Sequence, residues 1–243
     1  MIASYFHQGS GLGNQLFRYV ATRVLAADKG YDFGFIYNPD GSGKEEGFKG
    51  DSFMKIDKGK DVSTIERRWN EWNKYTYDPD FNFVEDNTII DGSFEDERYF
   101  EHRLPEIDEW LKTDTMLMGD NLCVIGFRGG EYYTVPELGL PKEYFDRAIV
   151  EMKKINPDML FEVHTDDTEL AKQFFPDYPV IHDIGINWRS MRYAKHAIIA
   201  NSSFYVLPRL LNGGLTIAPR YWNRYNTKKW DYPQGFYKSF KYI

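Results

Sequence analysis

Arg128, the carboxylates Asp166 and Asp167, and the polar triplet Asn201, Ser202 and Ser203 each stand just past a short apolar run. Those runs are Leu122–Phe127, Met159–Val163 and Ala197–Ala200. A cation, carboxylates and hydroxyls at three strand ends are the components of a nucleotide-diphosphate site. A guanidinium matches phosphate oxygens in bidentate fashion, and hydroxyls with the free N–H groups of a helix N-terminus add donors. In open α/β sheets, ligands settle outside the carboxyl ends of the strands. A fourth segment has the same character. Gly9-Ser-Gly-Leu-Gly-Asn-Gln15 follows the apolar run Ile2–Phe6 and leads into Leu16, Tyr19, Val20 and Val24 at helical spacing. That is strand, glycine turn and helix, with Gly11, Gly13, Asn14 and Gln15 at the turn. No Gly-Lys-Ser/Thr follows, and glycines at 9, 11 and 13 miss the G-x-G-x-x-G spacing, so neither common phosphate loop is present.

Each piece also has a structural reading. Ser202 or Ser203 would cap a helix. Asp166, with Glu169 three residues on, resembles a capping box. Arg128 would serve as a surface ion-pair partner, and Gly11 and Gly13 would turn the chain. Tyr132 and Tyr133 are either core aromatics or sugar platforms. His7, His102, His164, His182 and His196 show no ligand spacing and read as structural.

The elements that must position these groups alternate in the C-terminal half. After Leu122–Phe127 comes a helix opening at Pro141, with Tyr144, Phe145, Ala148, Ile149 and Met152 on one face. Strand Met159–Val163, helix Glu169–Phe175 and strand Tyr178–Ile181 follow. Helix Arg189–Lys195, strand Ala197–Ala200 and helix Phe204–Leu211 come next, and strand Leu215–Ala218 closes the series. Strands alternating with helices give an α/β, doubly wound parallel sheet. The N-terminal half begins alike, with strand 2–6, helix 15–28 and strand 31–36. Asn38–Lys60 then reads as a loop, Val62–Trp72 as a helix, Thr88–Asp91 as a strand and Asp96–His102 as a helix. The polar stretch Thr113–Asn121 divides the chain into domains 1–115 and 116–243.

Bulk properties narrow the classes. A net charge of −7 argues against a nucleic-acid binder. No apolar run approaches the roughly 20 residues that span a bilayer, and the N-terminus has no signal-peptide pattern, so a cytoplasmic protein is expected. The single cysteine, Cys123, lies within an apolar run and reads as a buried thiol. Of 243 residues, 42% are hydrophobic, enough for real cores.

Four segments, in order, resemble one family. They are the glycine turn and helix start within Gly9–Val20, the segment Ile90–Phe100, the segment Val124–Tyr132, and a fourth that runs from Thr165-Asp166-Asp167 to Lys195-His-Ala-Ile-Ile-Ala-Asn-Ser-Ser-Phe204 and Ile217-Ala-Pro219. Together they are similar to the bacterial α-1,2-fucosyltransferases of glycosyltransferase family 11, of which the chain looks like a divergent and short member. The resemblance implies a GT-B fold, two Rossmann-like domains facing a cleft. The first would be the acceptor side and the second would bind the nucleotide sugar. It implies inverting transfer of fucose from GDP-fucose to a saccharide hydroxyl, with no metal and no cofactor. Arg128 would then stabilise the departing diphosphate as the catalytic group. Gly11, Gly13, Asn14, Gln15, Arg128, Asp166, Asp167, Asn201, Ser202, Ser203 and Phe204 would bind the donor. Glu131, Asp166 and Asp167 are the available bases, Glu131 lying nearest the arginine.

The chain departs from the family where its histidine and second arginine would stand, at Gly126 and Gly129, and Glu131 replaces an aspartate. Asn187 and Trp188 stand where an acidic residue is usual before Met191. Tyr205-Val-Leu-Pro208 replaces an aromatic pair, and Pro208 interrupts the first turns of its helix. A transferase with another nucleotide sugar, or a nucleotide-sugar-binding protein without catalysis, are the alternatives.

Overall fold

The computed structural model describes residues 1–7, 9–37, 47–62, 65–71, 76–135, 138–220 and 237–243, with the backbone of 222–223 and 230–231. The chain forms two compact units, Met1–Thr113 and Asp114–Ile243. Each holds a wholly parallel sheet of Rossmann type.

In the first unit, β1 (Ile2–Phe6) is buried at every position, as a strand covered on both faces must be. It pairs with β2 (Phe33–Tyr37) on one side and β4 (Thr88–Asp91) on the other, with β3 (Arg67–Asn70) beyond β4. Between β1 and β2 runs α1 (Leu12–Lys29), which turns Leu16, Phe17, Val20 and Val24 into the core. Phe6 stacks on Phe35 with ring centroids 4.6 Å apart. The chain leaves β1 toward β2 and returns to β4 on the opposite side, which makes β1/β4 the switch point of this sheet.

Two expectations here are corrected. Val62–Trp72 does not form the expected helix. Arg67–Asn70 is an edge strand in register with Thr88–Asp91, because pairing along β4 outweighs the local helical pattern; residues 63–64 and 72 lie outside the described part. Asp96–His102 forms two 3₁₀ turns, Glu97–Tyr99 and Glu101–Arg103, before α2 (Leu104–Trp110). The Asp96 side chain accepts the Arg98 N–H and closes the first turn. Of the loop expected over Asn38–Lys60, residues 38–46 lie outside the described part.

In the second unit the elements are β5 (Leu122–Phe127), α3 (Glu131–Thr134), α4 (Lys142–Ile155), β6 (Leu160–Thr165), α5 (Thr168–Phe174) and β7 (Val180–Ile181). They continue as α6 (Ile184–Tyr193), β8 (His196–Ile199), α7 (Ser203–Asn212), β9 (Leu215–Ala218), a backbone hairpin β10 (Trp222–Asn223) and β11 (Trp230–Asp231), and β12 (Phe240–Tyr242). The sheet order is β12-β9-β8-β5-β6-β7. The series does not close at Ala218, because Phe240–Tyr242 adds a parallel edge strand beside β9. Pro208 lies inside α7 without ending it, although it lacks the N–H that a helix uses there. The switch point falls between β5 and β8, and Ala200 N–H donates to Gly126 O at 2.9 Å just beyond their last pairs. No helix among the described residues is long and apolar enough to cross a membrane.

Candidate functional site

Three strand ends of the second unit meet at this switch point. Leaving β5, the Arg128 guanidinium donates to Asp166 and, at 3.2 Å, to Glu131 Oε1. It also lies over the Tyr132 ring, 5.1 Å from the centroid, a favourable cation–π distance. Arg128 is 30% exposed. Burial works against its charge, but Asp166 together with Tyr132, Tyr205 and Glu131 outweighs burial and holds the guanidinium above its usual range. Glu131 is 74% exposed, on the first turn of α3.

The loop after β6 is tied to the loop after β5 through backbone amides. Gly129 N–H donates to Asp166 Oδ1 at 2.8 Å and Gly130 N–H to Asp167 Oδ2 at 3.0 Å. The helix cap is Asp167, not Asp166: its Oδ1 accepts Leu170 N–H at 3.0 Å. The Leu170 amide, with that of Gly130, holds the Asp167 carboxyl below the usual carboxylate range. Asp166 therefore bridges Arg128 and Gly129, and does not cap a helix.

From β8 comes the N-terminus of α7. Ser202 is its cap by backbone position but makes no capping hydrogen bond through its side chain. Asn201 is 6% exposed and donates from Nδ2 to Leu138 O at 3.0 Å. Its Oδ1 is buried with no hydrogen-bond partner, an omission of about 1–3 kcal/mol unless something fills it. Ser203 and Phe204 open the helix, and Phe204 meets Tyr205 edge-on at 5.3 Å.

The glycines that break the expected motif have structural causes. A Cβ on Gly126 would lie 2.8 Å from the Tyr205 ring and 2.9 Å from Met191 Cε. Tyr205 occupies that space, and its hydroxyl donates to Phe127 O at 3.1 Å. A Cβ on Gly129 would lie 2.4 Å from Asp167 Cβ, so an arginine cannot stand there while Asp167 caps α5. Asn187 is also accounted for. It is buried, donates to Thr165 O at 3.1 Å, and meets His164 Nδ1 at 2.9 Å, bracing the end of β6. His164 completes that brace by facing Glu162 at 2.8 Å. Tyr133 is a half-buried aromatic packed on the core, its ring 5.6 Å from Phe127 and its hydroxyl on Leu140 O.

The residues named in the glycine turn of the first unit gather at the start of α1, which begins earlier than its periodicity implies. Gly11 is the N-cap and Leu12 the first helical residue, so Gly13, Asn14 and Gln15 lie on the helix. Asn14 is exposed. Gln15 is buried, and its Oε1 accepts Lys49 N–H at 2.9 Å, which ties α1 to the loop at 47–50. Arg209, absent from every motif, is a buried cation whose Nη1 donates to Met191 O and Ala194 O at the end of α6. It answers the negative end of that helix, and burial pulls its guanidinium down to about 10.

No family model matches the sequence, and no curated protein does. Among solved structures, the fucosyltransferase NodZ from Bradyrhizobium is similar at 13% identity, with 86% of this chain and 93% of that chain covered and a TM-score of 0.50. The heptosyltransferase WaaC of E. coli, solved with ADP, matches at 10% identity over 100% of this chain and 92% of that one, also with a TM-score of 0.50. A glycosyl transferase family 9 protein from Veillonella parvula DSM 2008 matches at 12% identity over 100% and 86%, with a TM-score of 0.50. At these identities the likeness is one of fold, and the fold is that of the GT-B glycosyltransferases.

Proposed function

We propose that the chain is a glycosyltransferase that takes its sugar from a nucleoside diphosphate, with inversion and without a metal or cofactor. In this reading the donor is GDP-fucose and the acceptor a saccharide hydroxyl. One observation carries it. Arg128 and the N-terminus of α7 flank the switch point of a Rossmann sheet, and the buried Asn201 Oδ1 beside them lacks a donor. The four ordered motifs, from Gly9–Val20 to Ile217–Pro219, support fucose as the sugar, as does the fold shared with a fucosyltransferase.

Rupture of the sugar–phosphate bond leaves negative charge on the diphosphate. The Arg128 guanidinium carries more N–H donors than its two carboxylate partners take, so it meets a phosphate oxygen without releasing Asp166. The hydroxyls of Ser202 and Ser203 would share that charge. Asn201 Oδ1 would accept from the nucleoside.

A second reading has a specific observation behind it. The amides of Gly129 and Gly130, which would suit phosphate, are taken by Asp166 and Asp167. A nucleotide-sugar-binding protein without turnover would keep such a closed loop.

Thermal melting with GDP, UDP, ADP, CMP, GDP-fucose and GDP-mannose separates these. A ligand at 100 times its Kd adds about 2.7 kcal/mol, a plain rise in Tm. A rise with GDP ligands alone, followed by transfer to a saccharide, is expected. A flat response to all six overturns the reading, and binding without transfer favours the second. Within the first reading, Arg128→Ala lowers kcat by about 100-fold or more with an unchanged fold; full activity in that variant removes Arg128 from the mechanism.

A further inference from the structure

His164 is fully buried on β6, beside β5 in the sheet of the second unit. Both of its ring nitrogens face an oxygen. Nδ1 lies 2.9 Å from Asn187 Oδ1 on α6, and Nε2 lies 2.8 Å from Glu162 Oε1, two residues back along the strand. The Asn187 amide is fixed the other way round by its Nδ2, which donates to Thr165 O at 3.1 Å. Turning it would set Oδ1 against that carbonyl. Asn187 therefore offers the imidazole an acceptor, and so does the Glu162 carboxylate. A neutral imidazole has one N–H and one lone pair, and either placement leaves the lone pair pressed on an oxygen. The contacts are satisfied when both nitrogens carry a proton.

Among the described residues, Glu162 is the charged group paired with this ring. Gly126 of β5 and Ile181 of β7 flank His164 in register, and neither ionises. On α6, Arg189 donates to Gly185 O and Arg192 lies over the Tyr193 ring. Glu169 and Lys172 of α5 pair with each other at 3.5 Å. From α7, the Tyr205 hydroxyl meets the His164 backbone carbonyl at 3.4 Å, and burial holds its proton.

The hydrogen bonds run on from this ring to the strand end. Thr165 Oγ1 accepts Asp167 N–H at 2.9 Å, and Asp167 in turn accepts Gly130 N–H. We propose that His164 is a positioning residue of the nucleotide site, held as an imidazolium by Glu162 and fixing, through Asn187, the strand end that carries Asp166 and Asp167. This rests on the nucleotide-sugar reading above. Imidazole is a stronger base than a carboxylate, so the proton between the two sits on Nε2. Its loss sets a lone pair against Glu162 Oε1, or turns Asn187 away from Thr165 O. Either event opens the brace under the loop that meets Arg128, Gly129 and Gly130.

The test uses the full chain with nitrogen-15-labelled histidine, and GDP as the probe. In the wild type, both ring nitrogens of His164 give the signal of a protonated nitrogen at neutral pH. GDP affinity stays level while Nε2 holds its proton. It falls where the proton is lost, by up to about tenfold per pH unit, the slope for one proton. Glu162→Gln separates charge from packing. A glutamine N–H in that place donates to a bare Nε2, so the brace survives around a neutral ring. That variant shows one ring proton on His164, and its GDP affinity at neutral pH stays within about threefold of wild type because the contacts are kept. Any fall of affinity with pH that the wild type shows is absent from it, the titration of GDP itself being common to both. His164→Gln reaches Glu162 but not Asn187, and weakens GDP by about tenfold. A single ring proton in the wild type at neutral pH overturns the imidazolium. Unchanged GDP affinity in His164→Gln, or a pH dependence shared by wild type and Glu162→Gln, overturns the positioning role and leaves the nucleotide reading standing. A wild type that binds no GDP overturns both that reading and the positioning role, whatever the ring signals show.

Discussion

At the residue scale, a buried polar group in this protein is defined by what answers it. Asp96 is 1% exposed, yet it accepts the backbone amides of Arg98 and Tyr77 at 3.0 and 3.1 Å and the guanidinium Nε of Arg98 at 2.8 Å. Burial alone would raise its carboxyl, but the Arg98 side chain and the backbone amides of Arg98 and Tyr77 together outweigh burial, and the folded carboxyl lies below its usual value. A carboxyl lowered by folding adds stability above its unfolded pKa of about 3.9 and loses it as pH falls through the folded value. Asp96→Asn should therefore destabilise by about 1–3 kcal/mol at pH 7, mostly through the amides because the Arg98 head is half-exposed. In paired melts, the gap to wild type should close below about pH 4; a gap that stays constant to pH 2 would show that the charge is immaterial. Nothing in the residue types around Asp96 announced this, since its partner amide on Tyr77 is 19 residues away.

At the scale of elements, β5, β6, β8 and α7 behave as one block around Tyr205. The tyrosine ring fills the place over Gly126, and its hydroxyl reaches the last carbonyl of β5. Any side chain at 126 must displace it. Gly126→Ala should cost about 1–3 kcal/mol by overpacking, read as a fall in Tm. Pairing it with Tyr205→Leu, which vacates the ring, should recover part of the loss. A Gly126→Ala variant as stable as wild type would mean the ring yields freely. The periodicity of α4 and the apolar runs of β5, β6 and β8 were legible, because each is local and each segment buries its own pattern. Arg67–Asn70 was not, since a short edge strand with a charged, exposed pattern takes its form from β4 rather than from itself. For the same reason Phe240–Tyr242 gave no signal, having β9 to pair with but only a mixed aromatic and charged sequence of its own.

At the scale of the whole molecule, there are two Rossmann-type units, each with its own core and switch point. A nucleotide that binds at β5/β8 should slow amide exchange in peptides covering 127–131 and 200–205 more than in any peptide of the core of the first unit. Hydrogen exchange with and without GDP reads this directly. Equal protection across both units, or protection confined to the first, would remove the nucleotide from the second. The fold reaches this arrangement because successive βαβ crossovers turn the same way and leave strand ends of one polarity on one edge.

The sequence by itself determined the α/β class, the alternation of elements in the second unit, and the placement of Arg128, Asp166, Asp167 and Asn201–Ser203 just past strand ends. These follow from patterns a few residues long, which any chain segment carries with it. Only the tertiary structure decided what those groups touch. Arg128 meets Asp166 across 38 positions, and His7 meets Asp91 across 84. Such pairings arise from the order in which strands join a sheet. That order is set by the burial of whole faces, a property of the assembled core that no short segment contains.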